Sequence, residues 1–433
     1  MTLEELEAAV MAANTINLEV YYYWCTAIMI LIHAGFLMYE MGASRVKNTL
    51  ASGTKNILAF AFMIPTFYMF GWWIYLAMIN GFIPDFEAGA GGVPWGDSMG
   101  PNLQDHASGV FWGAFTLFAC TTASIMSGAV IERIRMAAFI VLAVVLGSVV
   151  WNLSASWGWH YAGWMVTGWG YHDFGASGVV HIISGFFALG VLINLGPRIG
   201  KYNDDGSPNV IKGHSLPMTC AGLMLIVFGF FGFLGGCIIF PGTEVSFDPV
   251  NWTNIYGQPT TLSAITFNTL MGVAGGIIGC YVMTRDPFWM MSGALCGIIS
   301  VAAGMDVWDP SLCFAIAFAG GILGPWAAGV FERMGIDDAV GAVSVHGICG
   351  IWGVLAVGIF VGGYPEFSAD IPPATFMGQF KGMIVMVLLG FIPGYVISLI
   401  FKMCGILRAS DGVQTAGMDV EVVGTAYPEE IKS

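Results

Sequence analysis

Eleven apolar stretches of about 20 residues each follow one another along this chain, at 20–39, 57–79, 108–131, 137–157, 174–196, 217–240, 261–284, 288–304, 308–331, 339–361 and 382–404. That feature leaves few folds open. A run long enough to cross hydrocarbon must satisfy its own backbone groups, and a series of such runs predicts an all-α membrane protein. Composition agrees, with 57% hydrophobic and 10% charged residues and a mean hydropathy of +0.76, far from the soluble range.

Orientation follows from the basic residues, which cytoplasmic loops retain. Arg45, Lys47 and Lys55 follow the first window, Arg133 and Arg135 the third, Arg198, Lys201 and Lys212 the fifth, Arg285 the seventh and Arg333 the ninth. Lys402, Arg408 and Lys432 belong to the end of the eleventh and the tail, so 13 of the 14 basic residues share one face, and only Lys381 lies opposite. The N-terminus is expected outside and the C-terminus inside, with residues 1–404 forming the transmembrane domain and 405–433 a cytoplasmic tail. "MTLEELEAAV" has no basic n-region, so no cleaved signal peptide is expected. The opposite loops carry Asp85, Glu87, Asp97, Asp105, Asp173, Glu244, Asp248, Asp306, Asp309, Glu366 and Asp370. Such a face would concentrate a cationic solute, although excluding Lys and Arg from outer loops leaves acids behind in any case.

The nine cysteines form neither a CxxC pair nor a cluster with metal spacing. Many of the 60 glycines fall in runs such as "GGIIGC" and "GGILG", which suit close helix packing. The histidines are more informative. His106, His160, His172 and His214 fall in loops, where solvation is the ordinary reading. His33, His181 and His346 fall within spans, where an unsatisfied ring is costly and a partner or cavity is expected.

His181 and His346 also form a pair. Each lies seven residues after the start of its window, at Phe174 and Ala339, and on the topology above the two helices run in opposite directions. Helices 1–5 and 6–10 therefore read as an inverted 5+5 repeat plus a final helix. Such repeats place the substrate path at the repeat interface near the midplane. Two imidazoles meeting there can share one proton, one ring donating and the other accepting.

Longer motifs carry a specific resemblance. "MYEMGASRVKNTL", "FACTTASIMSGAVIERIR", "DFGASGVVH", "HSLPM", "FGFLGGC", "SVHGICGIWG" and the tail's "GMDVEVVGTAY" make the chain similar, over nearly its whole length, to the ammonium transporter (Amt/Mep/Rh) family. That resemblance implies an eleven-helix homotrimer in the cell membrane, with one narrow pore per subunit for ammonium or ammonia and no cofactor. It implies His181 and His346 as the pore pair and Phe118 and Phe233 as two stacked gate rings. Asp173, Tyr161 and Cys237 take the positions of ammonium recruitment, and Asp173 is also a helix cap on the residue pattern alone.

Departures from the family pattern bear on function. Tyr161 and Cys237 stand where the family has tryptophan and serine, weakening cation–π attraction and hydrogen-bond acceptance. Ala114 and Leu234 replace a phenylalanine and an asparagine, the aspartate expected five residues before His346 is Gly341, and the tail's polar trio reads "VGT". Two readings follow. One is a conducting ammonium channel or transporter; the other is a weakly conducting or non-conducting ammonium sensor whose tail, or a fused module, engages a cytosolic signalling partner. No nucleophile and base set, metal cluster or basic nucleic-acid surface is visible, so neither an enzyme nor a nucleic-acid partner is expected.

Overall fold

The computed structural model describes residues 2–86, 108–243, 245–360 and 371–423. Glu87, Asp97, Asp105, His106, Glu244, Glu366, Asp370 and the tail beyond Val423 lie outside them. Among the described residues ten helices are long and apolar enough to cross a membrane: α1 (Leu3–Ala43), α2 (Val46–Ala77), α3 (Gly109–Ala129), α4 (Met136–Gly158), α5 (Ser177–Leu195), α6 (Leu216–Gly235), α7 (Leu262–Thr284), α9 (Pro310–Arg333), α10 (Val343–Phe360) and α11 (Phe376–Met403). The eighth apolar window forms a shorter helix, α8 (Pro287–Ala302), of 16 residues. A two-residue antiparallel pairing of Ile238–Ile239 with Thr253–Asn254 is the strand structure among the described residues.

Local chemistry sets the helix starts. Asp286 accepts from the amides of Phe288 and Trp289 ahead of Pro287, and Asp309 does the same for Ser311 and Leu312 ahead of Pro310. Thr2 and Glu5 form a capping box that starts α1 at Leu3. The first span is thus 41 residues long, about 60 Å, where hydropathy predicts a start near residue 20. Its opening turns are exposed, and a polar helix in water leaves no trace in an apolarity window.

Pseudo-twofold contacts relate the two halves. A Cβ on Gly35 of α1 would lie 2.6 Å from the Gly222 carbonyl oxygen of α6, and one on Gly222 would lie 2.6 Å from the Gly35 oxygen. In the centre, a Cβ on Gly185 of α5 would stand 2.4 Å from the Gly347 nitrogen of α10, and one on Gly350 would stand 3.2 Å from the Ile182 nitrogen. Glycine is required at such backbone-to-backbone crossings. The first turns of α5 and α10 are both π-helical, over Ser177–Ile182 and Val343–Ile348.

Charged side chains tie the halves together at the basic end. Arg198, after α5, grips Asp337, between α9 and α10, with Nε to Oδ2 and Nη2 to Oδ1 both at 2.9 Å. Arg133, after α3, donates to the Asp337 carbonyl at 2.5 Å and to the Gly196 carbonyl at 2.9 Å. Burial pushes the Asp337 carboxyl up, but Arg133 and Arg198 outweigh it and hold the group below the ordinary carboxylate range. The tail returns to this end: Arg408 donates to the Leu195 and Pro197 carbonyls, and Asp419 accepts from the Leu50 and Ala51 amides at the start of α2.

Replacing Asp337 by Asn leaves two buried guanidinium groups short of counter-charge and should cost about 3–5 kcal/mol. A thermal midpoint in detergent equal to wild type would contradict this. Because the folded-state pKa is depressed, wild-type stability from this contact is present above the ordinary carboxylate range and is lost as pH falls below it.

Candidate functional site

Where α5 and α10 cross, two imidazoles meet. His181 Nδ1 lies 3.0 Å from His346 Nδ1, with ring centroids 5.1 Å apart and planes at 26°. Both residues are buried. At that distance one nitrogen carries the hydrogen and the other accepts it, so a neutral pair fits and a doubly protonated pair does not. His181 Nε2 has no hydrogen-bond partner. Below the pair, a cavity of about 10 Å³ is lined by His346, Val345, Val340, Gly128, Tyr39 and Phe36, among others, space on the scale of one water.

The opposite side of His181 faces aromatic rings, with Phe233 at 6.2 Å and Phe230 at 6.1 Å. Phe233 meets Phe118 at a centroid distance of 4.2 Å and an interplanar angle of 62°. The two rings are therefore edge-on, where the family resemblance implies a stacked gate; the positive edge of one ring on the negative face of the other is the favoured geometry. Trp159 completes this layer, 5.0 Å from Phe118 and donating Nε1 to the Asp173 and Phe174 carbonyls.

Asp173 is fully buried before α5. Its Oδ2 accepts from the amides of Gly178 and Val179 at 2.9 and 2.8 Å, while Oδ1 has no partner. Burial raises its pKa to about 6 against the opposing pull of those two amides. The second half repeats the device: Asp338 Oδ2 accepts from the Val343 amide at 2.7 Å, and Asp338 Oδ1 is likewise unpartnered. Asp338 precedes His346 by eight residues, as Asp173 precedes His181. Asp338 is thus the counterpart of Asp173 in the second half, and Gly341 stands three residues after it. Gly341 has φ +76° and its counterpart Ala176 has φ +71°, so this is the left-handed position that glycine suits best. The repeated eight-residue spacing was the signal that sequence reasoning missed.

The remaining candidates fall elsewhere. Tyr161 is half exposed, stacks on His160 at 4.8 Å and 23°, and meets Phe247 edge-on at 5.5 Å. Of Trp159 and Tyr161, it is Trp159 that packs against Phe118. Cys237 is buried with Sγ 3.3 Å from the Phe233 carbonyl. His33 lies against Phe60 at 4.9 Å, with Nδ1 3.4 Å from Ser124 Oγ. His172 pairs with Asp306 at 3.1 Å. No group of three His, Cys, Asp or Glu side chains that could hold a metal occurs among the described residues.

Comparison with known proteins agrees on one family. The profile of the Ammonium Transporter Family matches residues 20–427. A putative ammonium transporter of Synechocystis sp. is 30% identical over 404 residues, covering 91% of this chain and 85% of its own. Ammonium transporter Amt2 of Archaeoglobus fulgidus is 29% identical over 430 residues, covering 93% and 86%. Among solved structures, one titled "Sensor Amt Protein" superposes with a TM-score of 0.81 at 26% identity, over 95% of this chain and all of that one. Candida albicans Mep2 has the same fold at a TM-score of 0.72 and 20% identity, over 91% and 86%.

Asp173→Ala should remove the acceptor for two α5 amides and lower stability by about 1–2 kcal/mol. Asp173→Asn, which keeps one acceptor oxygen, should lose less. Equal thermal midpoints for all three proteins would show that the cap contributes nothing.

Proposed function

Because the chain belongs to the ammonium transporter family, a family of multi-pass membrane transporters and not of enzymes, we propose that it passes ammonium, as the ion or as ammonia, along His181 and His346. The buried Nδ1 contact of 3.0 Å between those rings carries the reading. Ammonium matches potassium in size but donates four hydrogen bonds. A neutral imidazole nitrogen accepts one of them and discriminates where size alone does not.

On this reading the basic end is cytoplasmic, the protein is a homotrimer with one pore per subunit, and residues 405–433 form the cytoplasmic tail. The cation first meets Tyr161 and the neighbouring Phe247 and His160 rings, whose faces attract it without binding it tightly. Cys237 lies four residues beyond Phe233 and holds its sulfur 3.3 Å from the Phe233 carbonyl. Phe118 and Phe233, 4.2 Å apart, leave no room for an ion between them, so passage requires one ring to rotate. Beyond them the ion has shed its water and the twin histidines replace that shell. Asp173, when ionised, offsets the positive charge during this step through its unpartnered Oδ1.

The second reading, a sensor on the same scaffold, is favoured by one observation: the solved structure with a TM-score of 0.81 is titled a sensor. In that case ammonium occupies the same site, flux is low, and the tail packed on α2 and α5 relays occupancy to a cytosolic partner.

An ammonium pulse onto proteoliposomes on a solid-supported membrane, with binding followed on the same preparation, separates the two. Sustained, saturable current supports transport; binding without sustained current supports sensing; neither response rejects both. His181→Ala should abolish the response while the protein still assembles, and wild-type uptake by that variant would remove the pore assignment. With the Asp173 pKa near 6, the carboxylate is charged above that pH and neutral below it. The wild-type response should therefore weaken as outer pH falls through about 6, whereas Asp173→Asn should be weak and flat over the same range.

A further inference from the structure

The twin-histidine passage does not use one buried carboxylate close to it. Glu40 lies in α1 and is fully buried. Its Oε1 accepts a hydrogen bond from Ser127 Oγ of α3, and its Oε2 lies 3.3 Å from Lys55 Nζ of α2. Lys55 is 4% exposed, donates to the Ser127 carbonyl at 2.6 Å and rests over the Phe139 ring of α4 at 5.2 Å. Asn56 Oδ1 is 3.2 Å from Ser127 Oγ. This is an ion pair inside the helix bundle, not a surface contact.

Its placement is directional. Gly128, the residue after Ser127, lines the small cavity beneath His346. A Cβ on Gly128 would meet Val340 Cγ2 at 2.6 Å, and the first polar atom it would meet is Glu40 Oε1 at 3.6 Å. One glycine and the Val340 side chain therefore separate the carboxylate from the cavity, while the lysine is tied to the Ser127 carbonyl and to Phe139. Tyr39, next to Glu40 in α1, reaches the Val340 carbonyl with its hydroxyl at 3.4 Å, and Asp338 caps α10 nearby through the Val343 amide.

We propose that Glu40, with Lys55 as its counter-charge, is a positioning residue that makes the cavity beneath His346 electrostatically favourable for a cation on the basic-end side of the twin histidines. This rests on the transport reading above. Burying an ion pair is expensive and well-packed apolar residues often serve stability better. The benefit assigned here is the orientation of the pair, with its negative end against the thin wall of the passage. Asp173 lies before α5, on the other side of the histidines, so the pathway has a carboxylate behind its wall on each side.

The test compares wild type, Glu40→Asp and the double variant Glu40→Gln/Lys55→Met, which removes both charges so that neither is left alone. Half-saturation for ammonium is measured from each face in vesicles of defined orientation. In the double variant it should rise about fivefold on the basic-end face and stay within about twofold of wild type on the other. Glu40→Asp should restore wild-type values. An equal shift on both faces, no shift on either, or failure of the double variant to assemble would make the pair a structural tie and overturn the proposal. If wild type gives no current, the transport reading itself fails, and calorimetry with ammonium chloride decides this point separately. About fivefold weaker binding by the double variant upholds the proposal, and unchanged affinity overturns it.

Discussion

The approach of Gly185 to the backbone of Gly347 is the constraint on which the centre of the molecule depends. A Cβ there would stand 2.4 Å from an amide nitrogen, so any larger residue forces α5 and α10 apart. The two histidines sit one π-helical turn into those helices, and their 3.0 Å contact survives only if the backbones nearly touch. Other features serve this crossing. Asp173 and Asp338 fasten the first amides of each π-helical turn, and Asp337 with Arg198 and Arg133 holds the two halves in register from the basic end.

The spans and the histidine pair were legible in the sequence because both rest on strong, local rules. Hydrocarbon demands long apolar runs, and a lone polar ring within one demands a partner. What escaped was set by tertiary geometry. Asp338 stands eight residues before His346 as Asp173 does before His181, but its capping role rests on the Val343 amide that it meets only in the folded chain. The edge-on setting of Phe118 and Phe233 depends on Trp159 and the other rings around them, which no linear motif reports. Lys55 reads as a loop cation, yet it is buried in α2 because Glu40 meets it from α1; a pair formed across two helices cannot be read from either alone.

The repeat is kept in the backbone more strictly than in the residues. Ala176 and Gly341 share a left-handed conformation that costs alanine about 1 kcal/mol or more and glycine almost nothing. The first half therefore holds strain that the second does not. That strain is confined between the Asp173 cap and the π-helical turn, next to His181, where the surrounding hydrogen bonds over-determine the conformation.

The contact between like nitrogens has a further property. The hydrogen between His181 Nδ1 and His346 Nδ1 can belong to either ring, and its position fixes the tautomer of both. When it sits on His346, His181 must carry its own hydrogen on Nε2, which then faces its surroundings as a donor; when it sits on His181, Nε2 is bare and accepts. Exchanging the two settings takes more than the shift across 3.0 Å: as the shared hydrogen moves from His181 to His346, His181 Nε2 must gain a proton and His346 Nε2 must lose one, and His181 then presents a donor where it presented an acceptor. The neutral pair therefore has two settings, and neither converts to the other without proton exchange at both Nε2 positions.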